Sequence, residues 1–207
     1  MKQRSASLPV TPPAAKRARL GVATPSATLE LAFGESSLGV LALAASPKGV
    51  VALQFVTSAA AAAAELAHKA SGAVRGAALV PAHADSPATR WLAQVKAHLA
   101  SPGSCPLDFP LDLSSGTAFQ RKVWSLMREK VGKAGQSISY GELAALAGLP
   151  GGARAVGNAC GKNPVLLAIP CHRVLAANGK LGGFTGGVDL KAQLLSGERS
   201  CSVLRGL

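Results

Sequence analysis

Asn163-Pro164-Val165-Leu166-Leu167-Ala168-Ile169-Pro170-Cys171-His172-Arg173-Val174 is the stretch on which the reading of this chain turns. Its apolar run reads as a buried strand entering Pro170, and beyond that proline a cysteine stands directly beside a histidine. A free thiol has a pKa of about 8.5 and is mostly protonated at neutral pH, so a nucleophilic cysteine needs a base nearby. His172 is a candidate base, Arg173 adds positive potential, and Glu198 is a carboxylate able to orient the imidazole. Neighbouring residues on a strand face opposite ways, so Cys171 and His172 cooperate only if Pro170 has turned the chain. Taken alone, such a pair is more often an inert buried cysteine than a reactive one.

Immediately upstream, the spacing predicts a pair of short helices. Ser139-Tyr140-Gly141-Glu142 has the form of a capping box, opening a helix that buries Leu143, Leu146 and Ala147 and stops at Gly148 and Pro150. A second helix follows from about Gly152 to Cys160, giving helix, tight turn, helix. On it Arg154, Gly157, Asn158 and Gly161 share one face, flat except for a single long cation. Glycines in a helix cost about 1 kcal/mol each relative to alanine. Such a face suits either close approach to a nucleic-acid groove or tight packing against another helix. Before this pair, Ala118 to Glu129 places Phe119, Val123, Trp124, Leu126 and Met127 on a helix.

Further towards the N-terminus, apolar runs at Leu29–Phe33 and Leu38–Val56, broken by Gly39 and Ser46-Pro47-Lys48-Gly49, suggest three strands, the last two a hairpin. Six alanines, Ala59 to Ala64, lead into a helical or low-complexity stretch. Trp91, Leu92, Val95 and Leu99 have helical spacing, and the Pro- and Gly-containing Ser101–Ser115 reads as a connection between domains.

Charge is unevenly placed in this chain of 207 residues and net charge +12. Residues 1–29 hold five basic residues and no acid, residues 30–115 are nearly neutral, and residues 116–207 hold twelve basic against four acidic. That imbalance points the last part of the chain at a polyanion. No apolar run is long enough to span a membrane. Four cysteines, at 105, 160, 171 and 201, lack metal-site spacing, and no apolar leader is evident, which together favour a reducing compartment and free thiols. The Pro-rich tail carries Pro13-Ala14-Ala15-Lys16-Arg17-Ala18-Arg19-Leu20, similar to a short basic nuclear-localisation signal. A nuclear location is therefore expected, with an organellar transit peptide or a cytoplasmic location as alternatives.

Pro170-Cys171-His172-Arg173-Val174, with Asn163-Pro164 and Arg154-Ala155-Val156 before it, resembles the O6-alkylguanine-DNA alkyltransferases, or methylated-DNA–protein-cysteine methyltransferases. The resemblance runs from about Gly116 to Glu198 and takes in Gly116-Thr117-Ala118-Phe119-Gln120, Val123-Trp124, Ser139-Tyr140 and Gly186-Gly187. It implies an α+β fold: a small N-terminal β-sheet domain, ribonuclease H-like in the family, and a mainly helical C-terminal domain with a helix-turn-helix. The expected division is a flexible basic tail over 1–27, an α/β domain over 28–113, a DNA-binding and alkyl-acceptor domain over 114–201, and a tail over 202–207.

Carried over position by position, the resemblance makes Cys171 the alkyl acceptor, activated by His172, which the family links through a water to the carboxylate matching Glu198. Asn163 would brace the turn that carries the cysteine. Tyr140 would crowd the target phosphate and help protonate the departing guanine, and Arg154 would fill the gap left in the base stack. Gly141, Ala153 and Gly157 would meet DNA with them, in the minor groove of a duplex carrying alkylated guanine. Pro170, Val174, Phe184 and Thr185 would line the substrate pocket, and the glycine-rich 182–187 stretch would form a backbone wall against the base. The implied reaction is irreversible, single-turnover transfer from O6-methylguanine, and by extension O4-methylthymine, by a monomer that needs no metal or cofactor.

Some positions depart from the family's pattern. The loop from Glu129 to Ser137 lacks its Pro-aromatic-Gly-Glu run, Leu166 replaces a second proline, and Phe184 and Thr185 replace Tyr and Ser, which bears on how bulky an alkyl group is accepted. The competing functions are a lesion-binding protein without transfer, against which Cys171 argues, and a Cys-His hydrolase, for which no oxyanion-hole motif is evident.

Overall fold

Alternating apolar residues build the sheet. Strands β1 (Ala27–Ser36), β2 (Gly39–Ser46) and β3 (Gly49–Val56) form an antiparallel meander with two tight turns. Along β2 the inward residues split by parity: Leu41, Leu43 and Ala45 face one core, Ala42 and Ala44 the other. The alanine run continues into α1 (Ala62–Lys69), a single turn α2 (Ser71–Val74) and a fourth strand, β4 (Ala77–Pro81), parallel to β1. The sheet order is β3-β2-β1-β4. The sequence reading missed β4, whose five residues are too few for a period to show. Helix α3 (Pro87–Ala100) starts at Ser86, whose hydroxyl accepts from Thr89 N at 3.3 Å, and covers one sheet face with Leu92, Val95 and Leu99.

The computed structural model describes residues 27–102 and 105–204; the basic octet of residues 13–20 lies outside them. After the connection come α4 (Ala118–Val131), a two-residue strand β5 (Ile138–Ser139), α5 (Tyr140–Leu146), α6 (Ala153–Gly161), a 3-10 turn (Cys171–Arg173), β6 (Val174–Leu175), a second 3-10 turn (Ala177–Gly179) and α7 (Val188–Leu204). The fold is α+β, as expected, and α7 runs past the residue 201 boundary. Capping boxes start both α4, through Thr117 and Gln120, and α5, through Ser139 and Glu142. Trp124 is buried on α4 and its indole N–H donates to Ala159 O at 2.9 Å, fastening α4 to α6. Leu146, expected in the core, is 46% exposed, because the seven-residue α5 ends there and Leu143 with Ala144 already fills its inner face.

Two departures concern the decisive stretch. Residues 163–170 form a folded loop with isolated bridges in place of a strand, one of them to Leu53 of β3. Asn163 Oδ1 accepts from Val165 N at 3.0 Å, closing a turn that a strand could not contain. Leu167 then takes the left-handed backbone, φ 69°, which costs a branched side chain on the order of 1–2 kcal/mol and persists where surroundings enforce it. The apolar residues of this loop are buried on every side rather than alternating, which made it look like a strand.

Candidate active site

The loop delivers Cys171 to the first residue of a 3-10 turn, with Pro170 immediately before it, so the chain has turned as cooperation with His172 requires. Asn163 spans the loop: its Nδ2 donates to Ile169 O at 2.8 Å and to Cys171 Sγ at 3.1 Å. Behind the thiol, His172 Nε2 meets Glu198 Oε1 of α7 at 2.7 Å. Arg173 grips the same carboxylate, Nε at 3.1 and 3.0 Å from its two oxygens and Nη2 at 2.8 Å from Oε1, and its Nη1 donates to Val131 O at 2.7 Å. All five side chains are buried.

These contacts set the protonation states. Burial raises the Glu198 carboxyl, but the hydrogen bonds from His172 and Arg173 outweigh it and leave a pKa of about 2. An ionised carboxylate only accepts, so Nε2 of His172 carries the proton and donates it. Burial lowers the His172 pKa against the pull of Glu198, so the ring is neutral and its lone pair is on Nδ1. That atom is buried with no hydrogen-bond partner among the described residues. Burial pushes the Cys171 thiol up to about 11, against the opposing effects of Asn163 and Lys191. The resting sulfur is therefore a thiol, and the next residue in the chain carries an unprotonated imidazole nitrogen.

Cys171 opens onto a cavity of about 760 Å³. Tyr140 and Gly141 from α5 and Ala153, Arg154 and Gly157 from α6 form one side; Phe184, Thr185 and Gly183 form another. The Tyr140 hydroxyl donates to Gly183 O at 3.4 Å and its pKa is raised to about 12, first by burial and then by the two nearby thiols. The structure thus brings Tyr140, Gly141, Ala153, Arg154, Gly157, Phe184 and Thr185 around Cys171, while His172, Glu198 and Asn163 stand behind it.

Two positions expected in the pocket lie elsewhere. Val174 is fully buried, paired with Ile138, because β6 turns its side chain into the helical core. Pro170 lines a different cavity of about 630 Å³ with Leu167, Ala168 and Arg173, since the 3-10 turn carries Cys171 away from it. The water expected between His172 and Glu198 has no room at 2.7 Å; the contact is direct. Arg173 spends its charge on Glu198 rather than presenting it to the thiol.

Sequence reasoning missed three residues. Lys191 is fully buried on α7, donates to Val174 O at 2.6 Å and to Leu181 O, and lies 5.9 Å from the Tyr140 ring centre. Its spacing with Leu194 and Glu198, i, i+3 and i+7 on a helix, was the available signal. Cys160 lines the cavity beside Cys171, and Gln54 reaches the loop from β3. Among the described residues no cluster of His, Cys, Asp and Glu is placed to hold a metal, and no helix is long and apolar enough to cross a membrane.

A thiol, a neutral imidazole and a carboxylate thus stand together at one cavity, flanked by a short helix pair. The family model described as 6-O-methylguanine DNA methyltransferase, DNA binding domain, matches residues 118–200. Methylated-DNA–protein-cysteine methyltransferases from Mycolicibacterium paratuberculosis and Salmonella typhimurium are 50% identical over 92 residues and 51% over 85, covering 44% and 41% of this chain. Those stretches span about half of each relative, 54% and 48%. Mycobacterium tuberculosis OGT, solved in complex with DNA, superposes with a TM-score of 0.65 at 32% identity, over 84% of this chain and 94% of that one. The O6-methylguanine methyltransferase of the same organism gives 0.64 at 32%, over 83% and 93%. The chain belongs to the methylated-DNA–protein-cysteine methyltransferase family.

Proposed function

We infer that this protein repairs O6-alkylguanine in DNA, chiefly O6-methylguanine and by extension O4-methylthymine, by moving the alkyl group irreversibly to Cys171. The observation that carries this reading is the Cys171 thiol at a cavity mouth shared with Tyr140 and Arg154, with neutral His172 oriented by Glu198 behind it. The methyl carbon lies inside a base-paired stack, so the nucleotide leaves the helix to reach the cavity, at a cost of a few kcal/mol. Helices α5 and α6 act as a helix-turn-helix. The flat face of α6 enters the minor groove and Arg154 fills the vacated stack. Contacts with phosphate draw on the positive charge of the last 92 residues.

In the transfer, the S–H proton passes to His172 Nδ1, directly or through one water, as sulfur attacks the alkyl carbon in line. The S–C bond forms, the C–O6 bond breaks with its electron pair on the guanine, and the guanine takes a proton from Tyr140, which recovers one from its surroundings. The product thioether has no easy route back, so each monomer acts once. Residues 28–113 supply the support and 114–201 the binding and acceptor unit.

Incubation with duplex DNA carrying a labelled O6-methyl group tests this: the label should appear once per protein in tryptic peptide 163–173, whose one cysteine is Cys171. Cys171→Ala should take no label and still bind the duplex. Turnover, or label on Cys160, overturns the reading, and binding without label by the wild type identifies a lesion-binding protein instead. The bacterial relatives offer no support for a nucleus. A large fluorescent fusion carrying Lys16, Arg17 and Arg19 changed to Ala tests the basic octet as an import signal.

A further inference from the structure

Strand β3 is at the edge of the sheet, yet all eight of its residues are buried. Two segments cover that edge, residues 110–112 beside Val50 and, beside Leu53, the loop that carries the nucleophile. Leu53 N donates to Pro164 O at 2.8 Å and Leu166 N to Leu53 O at 3.0 Å, so residues 164–166 cap the open edge. Beside them Gln54, 1% exposed, sends its Nε2 to Asn163 O at 3.1 Å and to Pro164 O at 3.0 Å. A glutamine in a core is costly unless its polar atoms are bonded, and this one spends both amide protons on two successive carbonyls of a single turn. Asn163 in turn spends both of its amide protons on Ile169 O and on Cys171 Sγ. A continuous path therefore runs from the N-terminal sheet through one turn to the sulfur.

We propose that Gln54 is a positioning residue for the nucleophile: by clamping the Asn163-Pro164 turn it keeps the Asn163 amide directed at Cys171 Sγ. The backbone bonds of Leu53 fasten the loop to the sheet without it; what Gln54 adds is the orientation of the Asn163 peptide, and with it the donor that favours a thiolate. This rests on the alkyl-acceptor reading of Cys171, and the test keeps the two apart. Gln54→Met removes both donors at similar volume. Leu66→Ala, in the core on the face of the sheet that Gln54 shares, serves as a control that weakens the packing there without removing a hydrogen bond to the turn.

The readout is the pH profile of Cys171 alkylation by iodoacetamide, mapped on peptide 163–173, beside single-turnover transfer from O6-methylguanine duplex. Gln54→Met should displace the profile upward by roughly half to one pH unit and slow transfer about threefold to tenfold, the scale of one lost hydrogen bond to sulfur. Duplex affinity should be unchanged, and Leu66→Ala should keep the wild-type profile. Should Gln54→Met not fold, Gln54→Asn, which withdraws the amide by one methylene, carries the same expectation. A Gln54 variant whose profile coincides with wild type overturns the proposal, as does an equal displacement in Leu66→Ala. A wild type that takes no label from the duplex overturns the alkyl-acceptor reading, while the iodoacetamide profile still decides the role of Gln54.

Discussion

Replacing Glu198 with glutamine removes one charge and keeps the shape, and the structure sets the size of the consequence in two ways. A carboxyl with a pKa of about 2 in the folded protein, against 4.5 for an ordinary glutamate, contributes about 3 kcal/mol to stability at neutral pH. Independently, breaking a buried pair and leaving the Arg173 guanidinium without its anion costs about 3–5 kcal/mol. The two routes agree, so urea unfolding of Glu198→Gln at pH 7 should show a loss of about 3 kcal/mol, within the 5–15 kcal/mol by which domains are typically stable. Because folding lowers this pKa, the contribution is complete above pH 4.5 and disappears as the pH falls towards 2; the variant should lose up to one proton from its pH dependence in that window. Chemistry suffers as well. The amide no longer enforces a proton on His172 Nε2 or stabilises the imidazolium, so transfer should slow on the order of a hundredfold on duplex and free base alike. A stability loss below about 1 kcal/mol, or a rate within about threefold of wild type, would refute the assignment of His172 as base and Glu198 as its support.

Two further outcomes are expected. Arg154→Ala should slow repair of duplex far more than dealkylation of free O6-methylguanine, which has no stack to leave; equal losses in a single-turnover assay return Arg154 to a structural role. Gly116→Ala would drive a Cβ into the buried Trp124 ring, so chemical denaturation should report a loss of about 1–3 kcal/mol, with transfer intact at low temperature.

Local pattern made most of the helices legible. The 3.6-residue period marked α3 and α4, and the capping box marked α5 to the residue, because these signals lie within one turn of chain. What escaped depends on contacts far apart in sequence. Gln54 and Asn163 are 109 residues apart, and nothing in a strand's alternation says that one polar side chain will meet a turn there. Arg173 beside a reactive thiol invites an electrostatic role, yet its partner Glu198 is 25 residues on, and their pairing takes that charge away from the sulfur. The 163–170 loop misled for another reason: burial on all sides and burial on one face of a sheet produce the same apolar run, and only the Asn163 turn and the φ of Leu167 separate them.

If Cys171 accepts an alkyl group once, as proposed, the arrangement behind it follows from one demand, that the nucleophile must not be wasted. With the thiol near 11, the thiolate fraction at pH 7 is on the order of one in ten thousand, which shields the sulfur from oxidants and stray electrophiles. Deprotonation then costs about 5 kcal/mol at the moment of transfer, and a local base has to offset it. In the proposed mechanism His172 is that base, but its own burial weakens it. An anionic Glu198 corrects this, and its burial in turn requires a cation, Arg173. The guanidinium ends the series on a neutral group, the carbonyl of Val131 at the end of α4. Each buried charge calls for the next, so the sulfur, its base and their supports have to come from three separate elements, α4, the Cys171 turn and α7, fixed against one another. A nucleophile on an exposed helix face would need none of this and would be reactive, and spent, before it met a lesion.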